Sequence, residues 1–577
     1  MKRREFIIKS AMLGTVLAAP TLYSKSKETK NIKVGNPLRF PPELQVGESL
    51  VFKSTNVEVW PGTTTQVLAL NNSYPGPTVR VKRGENFSVL FENKHTVEST
   101  IHWHGLLAPE LMDGQPKDAV QPGNSYQYSF PIIQRAGTYF YHSHAHHYTA
   151  EQVYKGHAGF FIIEDENESQ LGLPSGDFDI PLLIQDRHSI YKPQFVYSPT
   201  HMDVMQGYLG DLPLINGTPD AYFEVQKTLY RFRLLNGSNG RVYKIAFSDS
   251  SKFWVIGTDS GLKDEVVESN NFFLSPGERV EILFDFSSYD INQSVNLISQ
   301  QYDGPGHQGN QMNLLRFDIV GNNSSGGIVP ANLPPINYYD ISNKKRTRTF
   351  SLSRKMGMGT GGHIINGLSF DINRIDEIIP HNELEEWQFI NQTMNFHPMH
   401  VHGVMFQVYA RNGSTNLSPN DKGWKDTVLV FPNEEVKVLI KFTDYSGQYL
   451  IHCHNLEHED DGMMLNFKIE EPTNVEETNT LPEGFELYQN YPNPFNPTTT
   501  IQYTVPVAVK TLHATSQLVQ LKVYDVLGKK VATLVNEIKQ PGNYKVSFNA
   551  SNLSSGIYYY SLKTPHGIIT KKMEVLK

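Results

Sequence analysis

Histidines gather in four short clusters along this chain of 577 residues. In a β-strand successive side chains point to opposite faces, so two histidines separated by one residue lie on the same face, about 6.5–7 Å apart. Neutral imidazole is a ligand for copper, zinc, iron and nickel, and eight imidazoles on converging faces exceed what one ion uses. The spacing therefore predicts a centre for several transition-metal ions. The clusters are His102-Trp103-His104, His142-Ser143-His144, His397-Pro398-Met399-His400-Val401-His402 and His452-Cys453-His454.

The fourth cluster contains Cys453, the only cysteine in the chain, so no intrachain disulfide can form. Strand alternation turns its thiol away from the imidazoles of His452 and His454. Two histidines, one thiolate and a weak axial methionine make up the blue-copper electron-transfer site. An electron that arrives at such a site has a covalent route through Cys453 to its two neighbours. The further ligands that the sequence offers are His397, His458 and Met463.

The composition indicates a folded, β-rich protein with several domains. At roughly 100–200 residues per domain, the chain is expected to form about three to five units. Its 43 glycines and 34 prolines separate short runs rich in valine, threonine and aromatic residues, which is typical of sandwiches and barrels. The net charge of −8 excludes the basic surface of a nucleic-acid-binding protein. Beyond the N-terminus, no apolar run approaches the roughly 20 residues of a membrane span.

A turn phrase that precedes a strand occurs three times and indicates one fold repeated three times. The repeats are predicted at about 45–170, 175–325 and 345–472. Two histidine clusters fall in the first repeat and two in the third, whereas the second has none. The phrase reads Pro122-Gly123-Asn124-Ser125, Ser275-Pro276-Gly277-Glu278-Arg279 and Phe431-Pro432-Asn433-Glu434.

Residues 1–27 predict a signal peptide. Arg3 and Arg4 precede an apolar stretch from Ala11 to Ala19, which is too short for a membrane anchor. The paired arginines resemble the twin-arginine export signal, and the alternative is an ordinary secretory signal. We therefore expect an exported protein that passes through the periplasm and ends at the cell surface or outside the cell.

The C-terminal residues differ in character from the rest of the chain. Residues 473–485 are polar and acidic and predict a linker. Residues 486–577 begin with a proline-rich phrase and continue as alternating strands, among them Leu521–Val526 and Gly556–Leu562. This segment resembles the C-terminal sorting domain of the type IX secretion system. The alternative is a small carbohydrate-binding or adhesion β-sandwich.

In order and spacing, the clusters between residues 45 and 472 resemble those of the multicopper oxidases, which include laccases, bilirubin-type oxidases and bacterial cuprous oxidases. The resemblance implies an all-β fold of three cupredoxin-like Greek-key β-barrel domains, with a small C-terminal β-sandwich. It also implies four copper ions per chain. By motif position, type 1 copper takes His397, Cys453, His458 and Met463, type 2 copper takes His102 and His400, and the type 3 pair takes His104, His142, His144, His402, His452 and His454.

Two acids match family positions. Reduction of O2 to two water molecules consumes four protons, and carboxylates near the metal ions can relay them as general acids. The resemblance assigns this role to Asp113 and Glu459, whereas the plainer interpretation makes them a turn residue and a solvated acid. Asp426 also fits a family motif, and we expect it to support the ligands rather than to act in catalysis.

The remaining histidines are weaker candidates for a role at the metal site. Those that follow the second cluster are either donors that orient the ligands or exposed loop residues. For the others we expect no part in the chemistry. The first set is His146, His147 and His157, and the second is His188, His307, His363 and His381.

The resemblance implies a copper-dependent oxidoreductase with O2 as acceptor. Laccase-type oxidation of phenols or aromatic amines needs only a shallow apolar mouth near the type 1 site. Oxidation of Cu(I) is the alternative, because thioethers bind that soft ion. The methionines available for a Cu(I) site, which are otherwise core or loop residues, are Met356, Met358, Met394, Met399 and Met405.

Two other classes fit the pattern less well, and a third, non-enzymatic class stays open. Zinc sites are usually four-coordinate, so a zinc storage protein does not explain four clusters and a cysteine between histidines. A copper nitrite reductase needs fewer histidines for its second copper. A non-catalytic, surface-displayed copper-binding protein would contain copper without consuming O2.

Overall fold

The structure is a computed structural model that describes residues 35–323, 326–355, 362–470, 486–505, 517–539, 542–565 and 567–576. These residues separate into two compact units, divided between residues 471 and 472. The predicted signal peptide (1–27) and linker (473–485), together with Met356 and Met358, lie outside the described residues. Within the described ranges, no helix combines the length and the apolar character that a membrane crossing requires.

The first pair of sheets carries two of the histidine clusters. Its sheets have the strand orders β3-β2-β5-β7 and β4-β9-β8-β6, and β1 pairs instead with a strand of the second pair. In β5 the alternate residues Phe87, Val89 and Phe91 enter the core between the sheets. The strands are β1 (Asn36–Pro37), β2 (Leu50–Val57), β3 (Thr65–Leu70), β4 (Val79–Lys82), β5 (Asn86–Asn93), β6 (His102–His104), β7 (Ser125–Pro131), β8 (Gly137–His142) and β9 (Ala158–Glu164).

The second pair of sheets carries none of the four clusters. Its core is aromatic: the rings of Phe247 and Phe284 stack with their centroids 3.6 Å apart. The strands are β10 (Asp179–Arg187), β11 (Leu212–Ile215), β12 (Thr218–Pro219), β13 (Ala221–Lys227), β14 (Leu229–Asn236), β15 (Tyr243–Phe247), β16 (Phe253–Thr258), β17 (Gly261–Ser269), β18 (Phe272–Leu274), β19 (Arg279–Asp285), β20 (Ser294–Ser299) and β21 (Met312–Asn322). They form sheets of order β1-β13-β21-β20-β15-β18 and β12-β11-β10-β14-β19-β16-β17.

The third pair of sheets carries the other two clusters. Its core includes Met399, Cys453 and Met463, all of which are fully buried. The strands are β22 (Arg346–Arg354), β23 (His363–Ile365), β24 (Glu377–Pro380), β25 (Glu385–Asn391), β26 (His397–Val401), β27 (Phe406–Arg411), β28 (Thr427–Val430), β29 (Glu435–Ile440), β30 (Gly447–Cys453) and β31 (Met464–Glu470). They form sheets of order β23-β22-β25-β29-β27 and β24-β31-β30-β26-β28.

The second compact unit is a small β-sandwich with a core of its own. Its sheets have the orders β32-β35 and β34-β33-β36-β37. Ile501, Val519 and Tyr560 lie in the core between them. The strands are β32 (Thr498–Val505), β33 (Gln517–Tyr524), β34 (Lys530–Lys539), β35 (Gly542–Asn549), β36 (Gly556–Thr564) and β37 (Gly567–Val575). The prediction of an all-β fold, three cupredoxin-like barrels and a small sandwich, is confirmed.

Short helices bridge the sheets, and two of them lie at the predicted copper ligands. Thr200 and Asp203 form a reciprocal cap at the start of α3. The side chain of Asn455 accepts a hydrogen bond from the backbone N–H of His458 and so starts α4. The helices are α1 (Thr149–Tyr154), α2 (Glu166–Ser169), α3 (His201–Gln206) and α4 (Leu456–Asp460), and the 3₁₀ turns are Glu110–Met112, Pro116–Asp118, Gly176–Phe178, Ser189–Tyr191 and Ile341–Asn343.

Candidate metal centre

The histidine clusters lie on paired strands, which bring their rings together. Antiparallel pairing of β6 with β8 places His102 opposite His142. Pairing of β26 with β30 places His400 opposite His452. Eight rings from the first and third sheet pairs meet in one group, each at most 3% exposed. We call this group the histidine chamber; its members are His102, His104, His142, His144, His400, His402, His452 and His454.

Ring nitrogens face one another across the histidine chamber, and most of these contacts join the first sheet pair to the third. The distances are too short for any group larger than a single ion to lie between two rings. The facing atoms are Nε2 of His102 and His400 at 3.4 Å, Nε2 of His144 and His452 at 3.3 Å, Nε2 of His402 and His452 at 3.1 Å, Nε2 of His142 and His454 at 3.3 Å, and Nδ1 of His104 with Nε2 of His142 at 3.4 Å.

Hydrogen bonds hold the protons of six of the eight rings on their outer nitrogens. Nδ1 of His102 donates to the backbone carbonyl of Asp113 at 2.8 Å, and Nδ1 of His400 donates to that of Asp426 at 2.9 Å. His104 is turned the other way, since its Nε2 donates to Oδ1 of Asp426 at 3.1 Å and its Nδ1 faces the chamber. Hydrogen bonds of this kind fix the tautomer of metal-ligating histidines.

In the rings that are held in this way, the nitrogens that face the chamber keep their lone pairs. Burial, followed by the charges of neighbouring histidines, lowers the pKa of His104 and His400 well below its usual range, so these rings are neutral. Facing lone pairs repel each other unless a Lewis acid lies between them. This donor set fits several imidazole-bound transition-metal ions.

Two carboxylates border the histidine chamber, and both are fully buried. Oδ2 of Asp113 accepts a hydrogen bond from Nδ1 of His402 at 2.8 Å. The carboxylate oxygens of Glu459 lie 3.3 Å from Nδ1 of His144 and 3.1 Å from Nδ1 of His452. Burial raises the pKa of Asp113 well above its usual range. The plainer sequence interpretation of Glu459 as a solvated acid does not fit this position.

A second group of donors lies on the other face of β30. Sγ of Cys453 is 3.4 Å from Nδ1 of His397 and 3.6 Å from Nδ1 of His458. Nε2 of each imidazole donates elsewhere, to Oγ1 of Thr393 at 2.8 Å and to the backbone carbonyl of Met205 at 3.3 Å. The lone pairs on Nδ1 of both imidazoles therefore point towards Sγ of Cys453. We call Cys453, His397 and His458 the sulfur site.

The thiol of the sulfur site does not ionise by itself. Burial raises the pKa of Cys453 far above its usual value. Because the thiolate is the form that binds metals, an ion at this site must displace the proton. Met463 is also fully buried, and its backbone carbonyl accepts a hydrogen bond from the N–H of Cys453 at 3.0 Å.

Four residues at the sulfur site were not predicted from sequence, and one of them is Thr393, which accepts the hydrogen bond from His397. His363 stacks on His458 with 3.8 Å between ring centroids, and its Nδ1 lies 3.0 Å from Oδ2 of Asp461. The backbone carbonyl of Met205 on α3 accepts a hydrogen bond from Nε2 of His458. That His363 takes no part in the chemistry stays a prediction, because its stacking on His458 is a packing contact. No local signal points to these residues, because their contacts depend on how separate elements pack.

The histidines that follow the second cluster lie outside the chamber. His146 stacks on His147 with 3.7 Å between ring centroids, and Nδ1 of His147 donates to the backbone carbonyl of Asp460 at 3.0 Å. His157 is buried in the first core, where its ring packs on Phe52 at 4.4 Å.

Comparison with known proteins agrees with this site. Residues 52–168 and 329–473 match the multicopper oxidase family, and residues 489–575 match a secretion system C-terminal sorting domain. The chain is 30% identical over 469 residues to a laccase of Bacillus subtilis, covering 71% of this chain and 91% of the laccase. It is 30% identical over 472 residues to a bilirubin oxidase of Albifimbria verrucaria, covering 75% of this chain and 80% of that enzyme. A crystal structure of a variant of the multicopper oxidase McoA from Aquifex aeolicus superposes with a TM-score of 0.70 at 36% identity, covering 76% of this chain and all of McoA.

Fold and site thus define a copper-dependent oxidoreductase that uses O2. The chain belongs to the multicopper oxidase family. Four copper ions per chain are typical of that family, and the two donor groups described above fit them. The C-terminal unit is a sorting domain that directs the protein to the cell surface or outside the cell.

Proposed function

We propose that this enzyme couples one-electron oxidation of phenolic and aromatic donors, the laccase-type reaction, to four-electron reduction of O2 to water. The observation that carries the proposal is the position of Cys453 between two donor groups. Its sulfur lies in the sulfur site, while the flanking His452 and His454 belong to the histidine chamber. Three consecutive residues thus provide a covalent route from the site of electron entry to the site of O2 reduction.

The proposed ligands of the type 2 and type 3 copper ions are assigned from the ring nitrogens that face one another in the histidine chamber. His102 and His400 hold type 2 copper, and the other six chamber histidines hold the type 3 pair. The sulfur site holds type 1 copper, with Met463 as the axial ligand. Bound copper supplies the one-electron redox chemistry and the affinity for O2.

The protein's own groups supply protons and orientation in this proposal. Asp113 and Glu459 are buried against outer nitrogens of the chamber, where a carboxyl group can pass protons inward. The contact with Asp113 fixes the tautomer of His402, and a hydrogen bond from Nδ1 to the backbone carbonyl of Cys453 at 3.3 Å fixes that of His452. The surrounding residues exclude bulk water, since all eight rings are buried.

Oxidation of Cu(I) is the second candidate, and one observation favours it. His397 and His458 are fully buried, and α3 covers His458 through Met205, so a bulky aromatic ring cannot contact either imidazole directly. Met202, also on α3, is 59% exposed and offers a thioether to a soft ion. The names of the laccase and bilirubin oxidase relatives favour organic donors.

The discriminating experiment compares kcat/KM for Cu(I) and for a simple phenol, with O2 consumption and H2O2 release measured together. We expect four electrons per O2, no peroxide and a higher kcat/KM for the phenol. The matched variant Met202→Leu keeps the volume of the side chain but removes the thioether. A lower kcat/KM for Cu(I) alone in this variant would favour the second candidate. Copper content without O2 consumption would instead indicate a non-catalytic copper-binding protein.

We also propose that export begins on the twin-arginine route, with passage through the periplasm before the sorting domain acts. The support is the pair Arg3 and Arg4, which precedes the apolar stretch from Ala11 to Ala19 by six residues. Replacing both arginines with lysines keeps the charge, and we expect precursor to accumulate in the cytoplasm. Undiminished export of this variant would indicate an ordinary secretory signal instead.

A further inference from the structure

The turn phrase that occurs three times in the sequence has a different environment in the second sheet pair. In the first and third pairs its tip is exposed at Gly123 and Asn433. In the second pair all of Ser275 to Arg279 is buried. This turn, which we call the second-domain turn, lies against the histidine chamber although its domain supplies no histidine to it.

Gly277 forms the contact between the second-domain turn and the chamber. A Cβ at this position would lie 2.9 Å from Cδ2 of His454 and 3.1 Å from Cε1 of His104. Its φ of +82° is also a conformation that favours glycine. By contrast, a Cβ at Gly123 would meet no atom of the described residues within 4 Å. Only a residue without a side chain allows the turn to lie against both rings.

Arg279 extends the contact to the hydrogen bond that orients His104. Its Nη1 donates to Oδ1 of Asp426 at 2.7 Å, and its Nη2 pairs with the other carboxylate oxygen. Oδ1 of Asp426 is also the acceptor for Nε2 of His104. The second, third and first sheet pairs are thus linked in series through Arg279, Asp426 and His104.

A buried ionic network fixes the guanidinium of Arg279. The backbone N–H of Arg279 donates to Oδ1 of Asp259 at 2.8 Å, and its Nε donates to the carbonyl of Thr138 at 3.0 Å. Lys425 of the third sheet pair lies 3.1 Å from Asp259 and 2.9 Å from Glu278. All of these groups are at most 1% exposed, so removal of one charge leaves its partners unpaired.

We propose that the second-domain turn positions the metal ligands: Arg279, through Asp426, holds His104 in the tautomer that presents Nδ1, and Gly277 sets the spacing of His104 and His454. The proposal rests on the proposed ligand assignment of these two histidines. Of the eight chamber rings, His104 is the one whose Nδ1 faces another chamber histidine, so it needs a fixed acceptor at Nε2. The second domain is then part of the O2-reducing site and not only a spacer.

The test uses Arg279→Gln and Gly277→Ala in the full-length, copper-loaded protein. Two Cu(II) ions coupled as a pair cancel each other's spin, so disturbance of the pair changes the electron paramagnetic resonance signal or the copper count. We expect such a change in both variants, with O2-dependent turnover lowered about 10–100-fold, the range typical when residues that orient metal ligands are replaced. The blue absorption and anaerobic reduction of type 1 copper are expected to match those of the wild type, because the sulfur site does not contact this turn.

Arg233→Gln is the matched control. Arg233 is 3% exposed in the same domain and pairs with Asp179 and Glu281, but it makes no contact with Asp426. We expect it to retain the wild-type spin signal and copper count. The proposal is overturned if Arg279→Gln and Gly277→Ala both keep wild-type spectra, copper and turnover, or if Arg233→Gln changes them equally. Fewer than four copper ions in the loaded wild-type protein would instead contradict the ligand assignment itself.

Discussion

The carboxylate of Asp113 accepts a hydrogen bond from Nδ1 of His402 at 2.8 Å, although 289 positions separate the two residues. The backbone carbonyl of Asp113 accepts a second one from His102 at 2.8 Å. One residue thus orients rings from two sheet pairs. Gly114 permits this, because a Cβ there would lie 1.8 Å from the carbonyl oxygen of Ile101.

Two replacements of Asp113 distinguish its role as a proton donor from its role in orienting His402. Asp113→Asn keeps an acceptor for His402 but cannot transfer a proton, so we expect O2 reduction to slow about 10²–10⁴-fold, the range of general acid–base catalysis, with four copper ions retained. Asp113→Ala removes the acceptor as well, and we expect copper loss in addition. Stopped-flow reoxidation of the reduced enzyme and metal analysis measure the two effects. Full-rate reoxidation of Asp113→Asn would exclude the proton role.

Gly207 at the end of α3 has a φ of +98°, and a Cβ there would lie 2.8 Å from Nδ2 of Asn455 and 3.0 Å from Cα of Gly240. We expect Gly207→Ala to lower the free energy of unfolding by about 1–3 kcal/mol and to move α3 away from the sulfur site. Thermal unfolding and the blue absorption band measure these effects. Gly84→Ala is the control, because its φ is +90° but a Cβ there would meet no atom within 4 Å in the part of the chain that the structure describes. Equal effects in both variants would show that backbone strain, and not the contact with Asn455, is responsible.

Lys263 on β17 makes the stability of the folded protein depend on pH. Its Nζ donates to the carbonyls of Pro419 and Lys422 at 2.7 and 2.8 Å, and burial lowers its pKa from 10.5 to about 8. Between these values the unfolded chain binds the proton more tightly, so stability rises as the pH rises from about 8 to 10.5. Relative to Lys263→Met, we expect the wild type to gain up to about 3 kcal/mol across this range. Denaturant titrations at several pH values measure the difference, and a pH-independent difference would contradict the expectation.

The C-terminal unit has its own core, so its removal tests its role in sorting alone. After deletion of residues 487–577 we expect a copper-loaded, active enzyme that stays inside the outer membrane. Cell fractionation and the kcat of the purified protein measure the two properties. Loss of activity in the purified truncated protein would show that the unit does more than direct export.

The sequence predicts the residues that carry chemistry because strand alternation is a local rule. His102, His104 and Cys453 are each placed by the period of their own strand and by its partner, so the faces on which they lie follow from spacing. The all-β fold follows from short strands and frequent turns for the same reason. Local pattern and tertiary structure agree at these positions.

Other parts of the site depend on packing between domains. His363 follows no motif, and its stacking on His458 requires β23 to lie beside α4. Arg279 belongs to a turn phrase that occurs three times, and only the docking of the second sheet pair buries this copy against His104. Spacing along one strand contains no information about such contacts.

Cys453→Ser tests the electron route most directly. The alcohol retains the shape of the side chain but is a poor ligand for type 1 copper, whereas His452 and His454 remain in the histidine chamber. We expect a protein with three copper ions, no intense blue colour and no oxidation of phenol or Cu(I) coupled to O2. Phenol turnover with O2 consumption at the wild-type rate in this variant would contradict the account.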